Sequence, residues 1–317
     1  MPVNIPQNLP AIDILKKENI FVFDQLRANQ QDIRPLRVLV LNLMPIKITT
    51  ETDIIRLLSN NPLQVEIDFL KLETHESKNT PEEHLIMFYK GFSEIKEDFY
   101  DGMIITGAPV ELYNFEDVNY WPEITKIFDW ARTHVTSTLY ICWAAQAAMH
   151  HFYGVEKVAL ENKMFGVFKH LVQQKSFTLF RGFDDEFNIP VSRHTTIDRN
   201  DILSKNGLTI LAESKESGVG IVCSRGGREF YFTGHSEYSP YTLHNEYIRD
   251  LEKGLEIEIP HHYYRDNDPQ KGPLVTWTAH ANLLFNNWLN YFVYQETPYK
   301  IEDIEKLGEI AQPNNEH

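Results

Sequence analysis

From residue 37 the chain alternates between short, nearly unbroken apolar runs and longer amphipathic stretches. Arg37-Val-Leu-Val-Leu-Asn-Leu43 is almost wholly apolar, the pattern of a strand buried on both faces. Thr50 is suited to cap a helix running through Asn60, with Asp53 three residues on. Val65 to Leu70 alternates as a strand does. Thr80-Pro81-Glu82-Glu83 reads as a capping box with proline at the first helical position, opening a helix to about Lys90. Tyr100 to Thr106 is a second buried strand, ending in Gly107-Ala108-Pro109. Trp121 to His134 has helical periodicity, Ser137 to Ile141 is a short strand, and Ala144 to Tyr153 is a helix. Such strand–helix alternation predicts an α/β fold with a parallel sheet flanked by helices.

The second half predicts strands at Met164–Phe168, Phe183–Phe187, Leu208–Glu213, Gly220–Cys223 and Phe230–Thr233, then helices at Tyr241–Lys253 and Ala279–Tyr294. No linker interrupts residues 37–300, which are expected to form a single domain. Before them, Pro2, Pro6, Pro10 and Pro35 break up a polar N-terminal arm, residues 1–36, expected to pack on the outside or on a partner subunit. Residues 301–317 form a C-terminal tail.

Charge narrows the possible partners. The 317 residues carry a net charge of −15, so nucleic acid is not an expected partner, and an anionic ligand would need a local cluster of basic groups. Two cysteines, Cys142 and Cys223, do not make a disulfide scaffold and point to a reducing compartment. Neither a signal peptide nor an apolar run long enough for a membrane span is readable, so the cytoplasm is expected.

The chemistry centres on Leu139-Tyr-Ile-Cys142-Trp-Ala-Ala-Gln-Ala-Ala148. A short apolar strand ends, cysteine sits on the turn, and small residues open the next helix, as in a nucleophile elbow. The helix N-terminus favours a thiolate, and the backbone N–H of Trp143 is placed to hold an oxyanion. The competing reading is a small buried apolar residue, which is the expectation for Cys223. A thiolate catalyst needs an imidazole. His235 stands out in Phe230-Tyr-Phe-Thr-Gly-His235-Ser-Glu237, where a strand runs straight into a Gly-His turn. In an extended segment Glu237 would lie on the same side and fix the imidazole tautomer. The plain alternative is a satisfied loop histidine. His150 and His151 read as packing or surface residues. The Gly107-Ala-Pro109 turn faces the same sheet edge, and its far end at Glu111 is expected to offer a second oxyanion N–H. Lys163, Arg193 and Arg249 are cations able to bind carboxylates, although each taken alone is more often a solvated charge. His75, Glu76 and His84 lack metal-ligand spacing, so no metal is expected. No nucleotide-binding fingerprint is present.

The chain resembles the homoserine O-acyltransferase family of methionine biosynthesis, built on a flavodoxin-like, class I glutamine amidotransferase-like fold. The resemblance rests on Asn42-Leu-Met-Pro45 with Lys47, Thr50-Glu51, Thr106-Gly-Ala-Pro109, Tyr140-Ile-Cys142-Trp-Ala-Ala-Gln146, Gly234-His-Ser-Glu237-Tyr and Asn287-Trp-Leu-Asn-Tyr291. It implies a ping-pong reaction in which Cys142 takes the acyl group from an acyl-CoA. His235, oriented by Glu237, then activates the γ-hydroxyl of L-homoserine. It implies substrate contacts from Lys163, Ser192 and Arg249, a donor-side role for Lys47, no permanently bound cofactor, and a homodimer. Glu111 occupies the position that separates donors. Its charge and bulk oppose the distal carboxylate of a succinyl group, so acetyl-CoA is the expected co-substrate and succinyl-CoA the alternative. A cysteine hydrolase or glutaminase would carry Gly-x-Cys-x-Gly, where this chain has Tyr140-Ile-Cys-Trp-Ala144. A redox-sensing cysteine on the same scaffold would leave Glu237, Lys163 and Arg249 without a task.

Overall fold

The computed structural model describes residues 3–5, 9–17, 22–24, 34–75 and 79–307. Pro2 and Pro6, most of the arm, Glu76 and the tail from 308 lie outside the described residues. Strands β1 (Val3–Ile5), β2 (Val22–Asp24), β3 (Leu36–Leu41), β4 (Val65–Leu70), β5 (Tyr89–Lys90), β6 (Tyr100–Ile105) and β7 (Val135–Ile141) are followed by β8 (Lys157–Val172), β9 (Glu186–Ile197), β10 (Leu208–Ser214), β11 (Gly218–Ser224) and β12 (Glu229–Phe232). They form a sheet in the order β2-β1-β4-β3-β6-β7-β12-β11-β10-β8-β9, with β5 on β4. The helices are α1 (Ala11–Lys17), α2 (Lys47–Leu58), α3 (Glu82–Phe88), α4 (Phe92–Ile95), α5 (Trp121–His134), α6 (Trp143–Tyr153), α7 (Arg199–Ser204), α8 (Thr242–Glu252) and α9 (Thr278–Asn287).

The α/β class and the parallel sheet hold from β2 to β12, where every pair runs parallel. From β12 outward the sheet turns antiparallel through β11, β10, β8 and β9. The strand expected at Met164–Phe168 lies within the long β8–β9 ladder, but of the strand expected at Phe183–Phe187 only Glu186 and Phe187 enter β9, with Phe183 to Asp185 in the connection before it. The first part of β8, Val158 to Asn162, is largely exposed despite three apolar residues, so it carries no buried run. Two of the expected helix starts move. α2 begins at Lys47 on an Ile46 cap, directly after Pro45, with Thr50 inside it. Thr80 is no N-cap either: Pro81 holds that position, and the Thr80 hydroxyl donates to the Pro45 carbonyl instead. The last helix is α to Asn287 and then a π segment, Trp288–Tyr294, where the Trp288 indole N–H donates to Ser137 Oγ at 3.0 Å.

Two apolar layers cover the faces of the sheet. The arm is part of this packing: Leu9, Ala11 and Leu15 are buried in the core, and β1 extends the sheet beside β4. The order β4-β3-β6-β7 places a crevice between the C-terminal ends of β3 and β6, where the direction of strand succession reverses. Open α/β sheets bind ligands at such a point. The segments leaving those strands, Asn42–Pro45 and Thr106–Pro109, form its walls.

Candidate active site

Cys142 directly follows β7 with φ 52° and ψ −113°, backbone angles that a non-glycine residue adopts only under constraint. The constraint is visible. Its N–H donates to the Phe232 carbonyl at 2.7 Å, continuing the β7–β12 pairing, and its own carbonyl accepts from Gln146 N–H in the first turn of α6. Ala144 and Ala145 are fully buried, so the helix lies hard against the sheet and aims its N-terminus at the turn. Trp143 is the first residue of that helix, where a backbone N–H has no partner within the helix.

β12 delivers His235 to the same edge. Its Nδ1 lies 2.7 Å from Glu237 Oε1. The pairing comes from a turn, in which Tyr238 N–H donates to the His235 carbonyl, and not from the extended alternation expected. Tyr238 stacks on the imidazole with ring centroids 4.1 Å apart and planes 15° from parallel. Gly107 closes the other side: a Cβ there would come 3.2 Å from Cys142 Cβ and 3.4 Å from His235 Cε1. Burial works against the imidazolium, yet Cys142 and Glu237 together hold the His235 pKa well above the ordinary value. Cys223, by contrast, is pushed up to about 12 by burial, as suits an inert thiol. His150 and His151 face Glu116 and Asp129, each at 2.9 Å, away from this cleft.

Around Cys142 and His235 opens a cleft of about 420 Å³ that also brings together Glu111, Lys163, Ser192, His194, Glu246 and Arg249. Lys163 and Ser192 are placed by the β8–β9 ladder, at the register shift between Ala159 and Met164. Both meet Glu246 of α8: Ser192 Oγ donates to Glu246 Oε2 at 2.6 Å and Lys163 Nζ at 3.4 Å. Lys163 also reaches Asp250, to which Arg249 Nε donates at 2.7 Å. Arg249 stays half exposed at the rim. Glu246 was not singled out from the sequence. The available signal was its place one turn before Arg249 on the helix.

Glu111 points its carboxylate into the cleft wall. Burial raises its pKa, while the His194 backbone N–H and the charges of His194, His235 and Lys163 favour the anion. Its carbonyl accepts from Lys157 Nζ at 2.8 Å. Arg193 corrects the expectation of a solvated charge. It is buried, donates to the carbonyls of Thr233 and Ser217, and among the described residues pairs with no carboxylate. Burial lowers its pKa, opposed by the charges of Cys142 and Glu111. Lys47 lies in a neighbouring cavity with Nζ 2.5 Å from the Asn42 carbonyl. Among the described residues no group of three His, Cys, Asp or Glu side chains is placed to hold a metal, and no helix is long and apolar enough to cross a membrane.

Residues 2–299 match the family model described as homoserine O-succinyltransferase. Similar proteins named homoserine O-acetyltransferase include one from Parabacteroides distasonis, 67% identical over 98% of this chain and 100% of the relative. Another, from Desulfitobacterium hafniense, is 56% identical over 96% of this chain and 99% of the relative. The chain belongs to the homoserine O-acyltransferase family. The family's fold is that of amidotransferases. A glutamine amidotransferase from Thermotoga maritima aligns with a TM-score of 0.55 and 16% identity, over 83% of this chain and all of that one. One from Methylobacillus flagellatus aligns at 0.51 and 13% identity, over 90% of this chain.

Proposed function

We propose that this family member transfers acetyl from acetyl-CoA to the γ-hydroxyl of L-homoserine, with Cys142 as nucleophile, His235 as acid and base, and Glu237 as its orienter. The observation that carries the reading is the shared cleft of a strained, strand-terminal Cys142 and a carboxylate-paired His235. The Cys142 thiolate attacks the thioester carbonyl carbon, and the oxyanion forms beside the Trp143 N–H, with the Gly107–Glu111 turn opposite. The bond from carbon to CoA sulfur breaks, the CoA thiolate takes the proton of His235, and acetyl remains on Cys142.

Acetylation removes the thiolate charge, a main contribution that holds His235 protonated. The imidazole that has just given its proton to CoA is then free to act as base. It takes the proton of the homoserine hydroxyl, the oxygen attacks the acetyl carbon, the bond to Cys142 sulfur breaks, and thiolate and imidazolium are restored. Charge thus switches the role of one histidine between the two half-reactions. For the amino acid, Arg249 suits the α-carboxylate and Glu246 the α-ammonium, with Lys163 and Ser192 holding Glu246 in place.

Glu111 supports acetyl over succinyl. It lines the wall of the cleft that holds Cys142, where a second carboxylate would meet it at low dielectric. The test is intact mass after incubation with acetyl-CoA alone. One acetyl group should appear on Cys142 and leave when homoserine is added. No adduct, or loss to water alone, would refute the reading. The compartment is proposed to be the cytoplasm and the assembly a homodimer.

A further inference from the structure

A protein of net charge −15 repels a polyanion unless it gathers cations somewhere. It does so next to the catalytic cleft. A cavity of about 180 Å³ shares Met44, Pro45 and Pro109 with that cleft and holds Lys47, Lys71 and His75. Among the described residues no aspartate or glutamate lines it. The rest of the wall is mostly apolar, with Leu72, Leu85 and Val110, which strengthens any charge interaction inside.

Among the described residues the two ammonium groups have no carboxylate partner at ion-pair distance. Among the described residues Lys71 makes no ion pair, and Lys47, buried, donates only to the Asn42 carbonyl. The buried carboxylate of Glu51 is held through Oε1 by His84 at 2.9 Å and by the Tyr89 hydroxyl at 2.6 Å. Burial pulls the Lys47 ammonium down to about 8; Glu51 opposes the fall and the charge of Lys71 adds to it. Two like charges kept together in an apolar cavity are costly until an anion joins them. Farther out the sign reverses. The next cleft shares Lys71 and His75 but carries Glu73, Glu82 and Glu94, which turn an anion back.

We propose that the Lys47–Lys71 cavity binds the phosphate groups of the acyl donor, with the pantetheine arm passing over Met44, Pro45 and Pro109 to bring the thioester to Cys142. This rests on the acyl-CoA reading above. Nucleoside-linked phosphate is the chemistry recognised, and Lys71, at the mouth, is the contact that tells a CoA thioester from a truncated one.

Two measurements test it. First, Lys71 in the wild-type protein is labelled with an amine-reactive reagent and quantified by peptide mass, with CoA, with inorganic phosphate, or with neither. CoA should protect Lys71 at concentrations where inorganic phosphate does not. Equal protection by both, or none by CoA, overturns the assignment. Second, kcat/KM is compared for acetyl-CoA and for S-acetyl-N-acetylcysteamine, which lacks phosphate. Wild type should prefer acetyl-CoA, and Lys71→Ala should cut that preference about tenfold through the KM of acetyl-CoA. A preference unchanged in the variant overturns the proposal. Transfer to homoserine without protection of Lys71 removes the phosphate site alone. Protection without transfer removes the acetyltransferase reading and leaves the site standing.

Discussion

His235 Nδ1 sits 2.7 Å from Glu237 Oε1, which leaves Nε2 as the nitrogen that can serve the nucleophile and the substrate hydroxyl. In the proposed mechanism Glu237 acts on tautomer and orientation. Glu237→Gln keeps the size of the side chain but removes its charge, so it should lower kcat by about 10²–10⁴-fold while shifting KM little. His235→Ala should lose at least as much, and the double variant should lose no more than His235→Ala does. Additive losses in steady-state kinetics would show that Glu237 acts elsewhere.

Burial opposes the His235 imidazolium, and the charge of Cys142 is first among the contributions that raise its pKa. Cys142→Ala removes that charge, so the His235 pKa should fall, as read by titration of its ring protons in NMR. The sign carries over to stability. A histidine raised above its unfolded value of about 6.5 adds stability that is complete below that pH and lost as pH climbs through the folded pKa. Denaturant melts should then show the wild-type advantage over Cys142→Ala shrinking above neutrality. An advantage that grows with pH would contradict the assigned ion pair.

Gly107 packs against Cys142 and His235, the two proposed reacting groups, and a methyl there would fit only if Cys142 gave way by a few tenths of an ångström. Gly107→Ala should disturb the Cys142–His235 geometry more than the fold. The expected result is a kcat reduced about 10²-fold with a melting temperature changed by only a few degrees. Thermal melts alongside single-turnover acetylation check this. A full-rate variant would mean that the loop moves aside freely.

Much of this centre is local, and so is legible in the chain. An apolar run from Ser137 to Ile141 ending in cysteine before small residues can hardly be other than a tight strand–helix turn. Phe230 to His235 reads as a strand running into a Gly-His turn, with the next helix starting only at Thr242. What the sequence hides is non-local. Arg193 is one residue along β9 from Ser192, yet it points into the interior, to carbonyls on the Thr233 and Ser217 segments far off in sequence. The Glu246 contacts with Lys163 and Ser192 span 83 and 54 residues. The first part of β8 escaped because Val158 to Asn162 is largely exposed and carries no buried period, while β9 beyond Phe187 alternates between buried and part-exposed positions that were not singled out as a strand. The turn at Glu237 reached the right pairing for a different geometric reason.

Arg193 holds the backbone just ahead of His235 and places a positive charge within electrostatic reach of Cys142. Arg193→Met keeps much of the volume but leaves the Thr233 and Ser217 carbonyls without their donor. Unfolding free energy should drop by about 2–4 kcal/mol, read from urea melts. Acetylation of Cys142 should slow beyond what the stability loss explains, because the thiolate loses a buried counter-charge. Arg193→Lys should recover part of the acetylation rate. If the lysine variant behaves as the methionine one does, the charge is irrelevant and only the fork of hydrogen bonds matters.

Donor choice is assigned to Glu111, and its charge gives the assignment a pH dependence of known sign. A succinyl carboxylate roughly 8 Å from an ionised Glu111 would be repelled by about 2 kcal/mol at an effective dielectric of about 20. That corresponds to about thirtyfold in kcat/KM. Glu111→Gly should therefore move the acetyl-CoA to succinyl-CoA ratio toward succinyl by at least tenfold. In the wild type, burial raises the Glu111 pKa, so its charge begins to be lost at higher pH than for an ordinary carboxylate. Discrimination against succinyl-CoA should weaken as pH falls through that raised value, and in Glu111→Gly the ratio should lose this pH dependence. Competition assays with both donors across acidic to neutral pH measure the ratio directly. A wild-type ratio that is flat with pH, together with a large effect of Glu111→Gly, would assign selectivity to the bulk of the side chain and not to its charge.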